Sequence, residues 1–213
     1  MPFDAGAPQG SIDGSGVTVG VLGLQGGVSE HVELLDGLGV RTTLLRTPGD
    51  LLGPDGLRVD AVVLPGGESS VIDRLLRTFE LFEPLQTAIS GGLPTLGTCA
   101  GLILLATTVL DPAPGQQSLA VLDATVRRNA FGSQVDSAEV ELDTSEGAVS
   151  VAFIRAPQVV ACGPQVAVIA RRGDAVVGVR QGAITGLAFH PEVTGEARFH
   201  QRLIADVGAR VRA

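Results

Sequence analysis

The segment Gly97-Thr98-Cys99-Ala100-Gly101 limits the possible folds more sharply than any other stretch of the chain. It follows the short strand-like run Leu93-Pro94-Thr95-Leu96 and precedes Leu102-Ile103-Leu104-Leu105-Ala106, apolar and continuous enough for a buried helix. A strand that turns into a helix this abruptly needs glycine at the flanking positions, because a side chain there would strike neighbouring backbone. The G-x-S-x-G nucleophile elbow meets that demand, and here sulfur stands in place of oxygen. Such a corner presents Cys99 above the sheet at a helix N-terminus, where the helix dipole favours the reactive thiolate. Free cysteine is also a common core residue, so a partner base elsewhere in the chain must separate chemistry from packing.

The rest of the first half is consistent with an elbow in an α/β protein. Val17-Thr18-Val19-Gly20-Val21-Leu22 is too apolar for a half-exposed strand and suits a parallel strand covered on both faces. A helix follows from Ser29 as N-cap, with Val32, Leu34, Leu35 and Leu38 inward and Gly39 as its stop. Val40–Leu45 and Val59–Leu64 read as further strands, broken by Pro65-Gly66-Gly67. Ser69 or Ser70 caps a helix to about Phe79, and another runs from Pro84 to Ser90. This alternation predicts a mostly parallel sheet.

After the Pro/Gly loop of residues 111–118 the pattern changes to short strands with little helix between them. They span residues 120–126, 138–142, 150–154, 166–170, 175–179 and 184–189, so part of this half is expected to be antiparallel. An amphipathic helix over about 195–211 closes the chain, and residues 1–16 read as a flexible Gly/Pro/Ser-rich leader before one domain over 17–213.

Composition excludes several classes. A net charge of −8 argues against nucleic acid. No apolar run approaches the ~20 residues of a membrane span, and no secretory signal is visible. Two cysteines, Cys99 and Cys162, form neither a disulfide framework nor a metal-ligand pattern, which suits a reducing cytoplasm. Cys162, in the run Val159-Val160-Ala161-Cys162, is expected to be inert core.

Only three histidines can serve as the base. His31 and His200 lie on predicted helices among charged residues and read as surface or packing histidines. His190 instead ends the strand Ile184–Phe189 and begins His190-Pro191-Glu192. Positions i and i+2 of an extended segment point to one side, so Glu192 can fix the imidazole tautomer and stabilise its protonated form. Nucleophile, base and orienting carboxylate then occur in the order Cys99, His190, Glu192. The loop Pro65-Gly66-Gly67-Glu68-Ser69-Ser70, between a strand and a helix, offers backbone N–H groups to a developing oxyanion. It lacks the lysine and the glycine spacing of phosphate loops.

Together these segments resemble the class I (triad-type) glutamine amidotransferases, a three-layer, flavodoxin-like α/β fold. More closely they resemble the glutaminase subunits of pyridoxal 5′-phosphate synthase, the PdxT/SNO family. The resemblance runs from Val17 to the last helix. Gly-x-Cys-x-Gly and Phe189-His190-Pro191-Glu192 are shared across the wider class. Gly20–Gly26, Leu64–Ser70, Arg128-Asn129-Ala130-Phe131-Gly132, Gln134–Ser137 and Phe153-Ile154-Arg155-Ala156-Pro157 carry the closer match. It implies that Cys99 attacks the side-chain amide of L-glutamine with His190 as base and acid, and that a thioester is hydrolysed to glutamate. It implies glutamine binding by Gly67, Glu68, Ser69, Arg128, Ile154 and Arg155, and an oxyanion site at Gly66, Gly67 and Ala100. Arginine suits the substrate carboxylate and Glu68 its ammonium.

The family resemblance further implies a lyase partner in a large hetero-oligomer that receives the ammonia for vitamin B6 biosynthesis. Contact with that partner and activation of the oxyanion site fall at Gln25 and Gly26, and no cofactor or metal is implied for this chain. One departure is Ser133, where the family commonly has arginine. Other readings are a glutaminase subunit of another pathway, such as imidazole glycerol phosphate synthase, or a cysteine hydrolase or chaperone on a related sheet without the late His-Pro-Glu. A catalytically silent binding protein is a third.

Overall fold

The computed structural model describes residues 14, 16–130 and 139–211. The leader before Gly14 and the segment Phe131–Ala138, with Ser133 and Gln134–Ser137, lie outside the described residues.

The chain alternates strands and helices through its first half: β1 (Thr18–Leu22), α1 (Val28–Gly37), β2 (Arg41–Leu45), α2 (Pro48–Leu51), β3 (Leu52–Gly53), β4 (Gly56–Leu57), β5 (Ala61–Leu64), α3 (Ser69–Thr78), α4 (Phe82–Ser90), β6 (Thr95–Thr98) and α5 (Ala100–Leu105). The second half is mainly strand: β7 (Ala106–Leu110), β8 (Leu122–Arg127), β9 (Glu139–Thr144), β10 (Gly147–Ala152), β11 (Gln158–Cys162), β12 (Ala167–Arg172), β13 (Ala175–Gln181) and β14 (Ile184–Leu187), then α6 (Arg198–Val211).

Five strands in the order β2-β1-β5-β6-β14 form the parallel centre. Beyond β14 the sheet turns antiparallel through β13, β12, β9 and β10. β5 and β6 are buried at every position; β5 is unbroken apolar sequence, as covering of both faces requires, whereas β6 also buries Thr95 and Thr98. The side chains alternate accordingly. A Cβ on Gly97 would run into Leu105 and Gly101 of α5, whereas Thr98 reaches His31 of α1. The α5 and α1 helices therefore lie on opposite faces of β6, and α6 joins α1 through a His31–His200 contact.

Strand order puts the chain reversals to the two sides of β1 and β5, and open sheets of this kind bind ligands beyond the carboxyl ends of their strands at that point. Gln25, Gly66, Cys99 and His190 follow β1, β5, β6 and β14 at that same edge.

Four local expectations are corrected. His190-Pro191-Glu192 is a turn rather than an extended segment, with Pro191 in the αR region and Glu192 opening a 3₁₀ turn, and it is this turn that brings the carboxylate to the His190 ring. α1 begins at Val28 with Gly27 as its N-cap, and the Ser29 hydroxyl donates to Glu30 rather than capping. α3 is capped by Glu68, which accepts from the Ser70 N–H at 3.2 Å, so neither serine is the cap. Cys162 is exposed rather than core: Val159 is the one buried residue of β11, and Val160, Ala161 and Cys162 are all exposed.

Candidate active site

Cys99 sits at the β6–α5 corner with φ 49° and ψ −100°, in the positive-φ region that non-glycine residues seldom enter. Such a conformation costs on the order of 1–3 kcal/mol and persists only where surrounding structure fixes it. Here the Cys99 N–H donates to Leu187 O at 2.7 Å, and a Cβ on Gly101 would land on the Leu64 carbonyl. Both glycines of the motif thus answer to close backbone or helix contacts, and Cys99, 7% exposed, is held at the pocket floor.

His190 is anchored through its backbone, whose N–H donates to Ala152 O at 2.9 Å. Its Nδ1 lies 2.7 Å from Glu192 Oε1, which leaves Nε2 for the hydrogen bond to the Cys99 thiol. Burial opposes the protonated ring, but the hydrogen bonds and charge of Cys99 and Glu192 outweigh it and push the His190 pKa up to about 10. The imidazole therefore holds a proton at neutral pH, available for a leaving group. Sγ also lies 3.8 Å from the Ile154 carbonyl oxygen.

Above the thiol is a cavity of about 260 Å³, lined by Gly66, Gly67, Glu68, Ser69, Arg128, Ile154 and Arg155 among others. That is below the ~300–1,000 Å³ of drug-sized sites and suits a small metabolite. Arg128 donates through one nitrogen to Glu68 Oε1 and through the other to Gln116 Oε1, each at 2.8 Å. The two charges expected to meet opposite ends of a zwitterion thus neutralise each other across the pocket wall. Arg155 lines the same wall with φ 45°.

Gln25 and Gly26 do not line the cavity but brace the loop that does. Gln25 Oε1 accepts from the Glu68 N–H at 2.8 Å, and the Gly27 N–H donates to Gly66 O at 3.2 Å. A Cβ at Gly26 would overlap the Gly66 carbonyl, and one at Gly66 would clash with Cε1 of the His190 ring. Ala100 opens α5 directly after Cys99, fully buried.

Sequence reasoning missed the groups behind Glu192. His31, His200 and Thr98 are all fully buried. His31 Nδ1 lies 2.9 Å from His200 Nε2, and its Nε2 lies 3.1 Å from Thr98 Oγ1 and 3.5 Å from Glu192 Oε1. Gln116, which bridges Arg128 to the Ser69 hydroxyl, was also missed. It lies in a Pro/Gly loop with no periodicity to mark it.

Fold and site together define an α/β protein with an elbow cysteine and a histidine–carboxylate pair, the arrangement of a triad-type acyl-transfer enzyme. The chain belongs to the SNO glutamine amidotransferase family, whose model matches residues 21–209. It is 55% identical over 191 residues to the pyridoxal 5′-phosphate synthase subunit PdxT of Corynebacterium diphtheriae, covering 90% of this chain and 100% of that one. The PdxT subunit of Clavibacter sepedonicus is 54% identical over 198 residues, covering 91% and 92%. Among solved structures, a glutamine amidotransferase matches with a TM-score of 0.82 and 41% identity, covering 89% of this chain and 98% of its own. A GMP synthase subunit of Thermoplasma acidophilum shares the fold, with a TM-score of 0.65 at 20% identity over 92% of this chain and 96% of its own.

Proposed function

We propose that this chain hydrolyses L-glutamine to L-glutamate and ammonia and supplies the ammonia to the lyase subunit of a pyridoxal 5′-phosphate synthase. The observation that carries the reading is the Cys99–His190–Glu192 line at the floor of a pocket walled by Glu68 and Arg128.

The Cys99 thiolate attacks the δ-carbon of the glutamine side chain, and backbone N–H groups of Gly66, Gly67 and Ala100 receive the developing oxyanion. Protonated His190 gives its proton to the departing nitrogen, the C–N bond breaks, and ammonia leaves a γ-glutamyl thioester. Water then attacks that thioester with His190 taking its proton. The C–S bond breaks, and glutamate leaves with the thiol restored. Glu192 keeps His190 in the tautomer that both steps need.

Arg128 and Arg155 receive the α-carboxylate, Glu68 the α-ammonium, and Ser69, Gly67 and Ile154 complete the wall. Because Arg128 and Glu68 already face one another at 2.8 Å, the substrate's opposite charges slot into an existing pair rather than two isolated ions. The brace from Gln25 and Gly26 to the Gly66–Glu68 loop gives a docked lyase a mechanical route to the oxyanion donors. We further read residues 17–213 as a single glutaminase domain working in the cytoplasm, in a hetero-oligomer with that lyase.

The test is glutamate release from L-glutamine with and without the lyase. Release should rise sharply with the partner, and Cys99→Ala should abolish it while the complex still uses free ammonia. Turnover unaffected by Cys99→Ala, or unstimulated by the lyase, overturns the reading.

A further inference from the structure

We infer that His31 is a positioning residue of this site: a neutral imidazole, fixed in one tautomer by His200, whose Nε2–H is directed at Thr98 and the Glu192 carboxylate.

Glu192 is buried with its side chain 1% exposed, and Oε2 has no hydrogen-bond partner among the described residues. Oε1 is hydrogen-bonded to His190 Nδ1 at 2.7 Å, and His31 Nε2, bonded to Thr98, stands 3.5 Å away as a longer electrostatic contact. A buried carboxylate with so few donors depends on each of them.

Of the two neutral tautomers of His31, only one fits its surroundings. If His31 carried its proton on Nδ1, it would donate to His200 Nε2, which would force the His200 proton onto Nδ1. That atom is buried with no partner among the described residues, so an N–H there would be an orphaned donor. The bare Nε2 lone pair of His31 would also face the Glu192 carboxylate. With protons on both Nε2 atoms, His200 donates to His31 Nδ1 and His31 donates forward between Thr98 Oγ1 and Glu192 Oε1. The only atom left unpaired on the histidines is then a lone pair, which costs less to bury than an N–H.

The ring also stays neutral. Burial first, then the neighbouring His200 and His190, hold its pKa well below the usual histidine value. A dipole, not a second cation, therefore backs Glu192. It steadies the carboxylate without competing with His190 for its charge.

The consequence for turnover rests on the glutaminase reading, whereas the tautomers belong to the folded chain alone, so the two can fail separately. With three histidines in the chain, two-bond ¹H–¹⁵N correlation spectra of the ¹⁵N-histidine-labelled protein can be assigned by single substitutions. The expected result at neutral pH is His31 and His200 both neutral and protonated at Nε2. A His31 Nδ1–H, or a charged His31, overturns the inference.

Kinetics of the lyase-stimulated complex give the second arm. His31→Leu should lower kcat roughly 10- to 100-fold with little change in KM, the scale of a modest misplacement of catalytic groups. His31→Gln, which returns an N–H donor near Nε2, should recover most of it. In a Glu192→Gln background, His31→Leu should cost less than about threefold more. Equal losses for the Leu and Gln variants, or full additivity with Glu192→Gln, overturn the positioning role. A wild-type chain that releases no glutamate refutes the glutaminase reading, and the spectra then decide this one.

Discussion

Gly66→Ala tests whether His190 is held where the chemistry needs it. A Cβ built on Gly66 lies 3.0 Å from Nδ1 and 3.3 Å from Nε2 of His190, and closer still to the carbon between them. Non-bonded carbon contacts settle at about 3.5–4.0 Å, so the ring or the loop must retreat by on the order of 1 Å. The loop has little room, because Gly66 O accepts from the Gly27 N–H and its carbonyl lies against the Gly26 Cα. The ring must therefore yield, which breaks either the 2.7 Å contact to Glu192 or the alignment on Cys99. A displacement of that size costs about 10²-fold, and losing general acid–base catalysis altogether costs about 10²–10⁴-fold. We expect kcat for glutamate release by the lyase complex to fall by about 10²–10⁴-fold, equivalent to roughly 2.7–5.4 kcal/mol of barrier. The folded variant should still bind its partner. A variant with kcat within threefold of wild type would refute both the rigidity of the loop and the placement of His190 against it.

Three further outcomes follow from the geometry. Gly101→Ala pushes a methyl group onto the Leu64 carbonyl, and an obstacle of backbone cannot rotate away; the upper range of overpacking, about 3 kcal/mol, should lower Tm by about 6–12 °C, and an unchanged melt would contradict the elbow packing. Asp73, fully buried, accepts from Arg77 at 3.0 and 2.8 Å and from the Gln117 N–H at 3.0 Å, and so ties the loop bearing Gln116 to α3; Asp73→Ala should cost about 1–3 kcal/mol in urea melts and raise KM for glutamine through Gln116 and Arg128. Stability should also fall in mild acid. Burial lowers both His31 and His200, the latter to about 3. Depressed histidines contribute stability that is present above the unfolded value near 6.5 and lost as pH falls below it. Between pH 6.5 and 5 the unfolded chain gains protons that the native one refuses, a loss of roughly 1.5 kcal/mol for His200, to which His31 adds in the same direction. His190 works in the opposite sense, its contribution being lost as pH rises from about 6.5 through about 10. Urea melts at pH 7 and 5 should show the acid loss in wild type and a shallower one in His200→Phe; equal slopes would sink it.

What could be read without coordinates was whatever leaves a local mark. The two most apolar parallel strands, β1 and β5, are found where the apolar runs Val17–Leu22 and Val59–Leu64 lie, and β6 begins two residues after the start of the run Leu93–Leu96. The elbow is local too, since glycines on both sides of a cysteine report a corner that only small residues can make. His190 and Glu192 are only two residues apart, so their 2.7 Å contact is local, although a turn at Pro191 and not an extended segment brings them together. Cys162 was misjudged for the complementary reason: beyond Val159 every residue of β11 is exposed, and apolar composition carries no trace of that. The capping of α3 by Glu68 rather than a serine was hidden likewise, because the loop geometry set by Gln25, 43 residues earlier, decides where the helix starts.

The buried shell behind Glu192 shows where such legibility ends. His31 and His200 are 169 residues apart and meet only because α1 and α6 pack on the same face of the parallel sheet. Both sit among charged residues in sequence, which argues for a surface, yet each is fully buried. The link between them and the chemistry is the two-residue period of β6. Gly97 faces α5 and leaves room for the elbow, Thr98 faces α1 and meets His31, and Cys99 emerges at the strand end. A strand shifted by one residue would exchange those faces, putting a hydroxyl against Leu105 and a glycine against the imidazole. The register that builds the nucleophile therefore also connects it to the histidine pair, and one strand of four residues ties the reacting thiol to groups on the far face of the sheet.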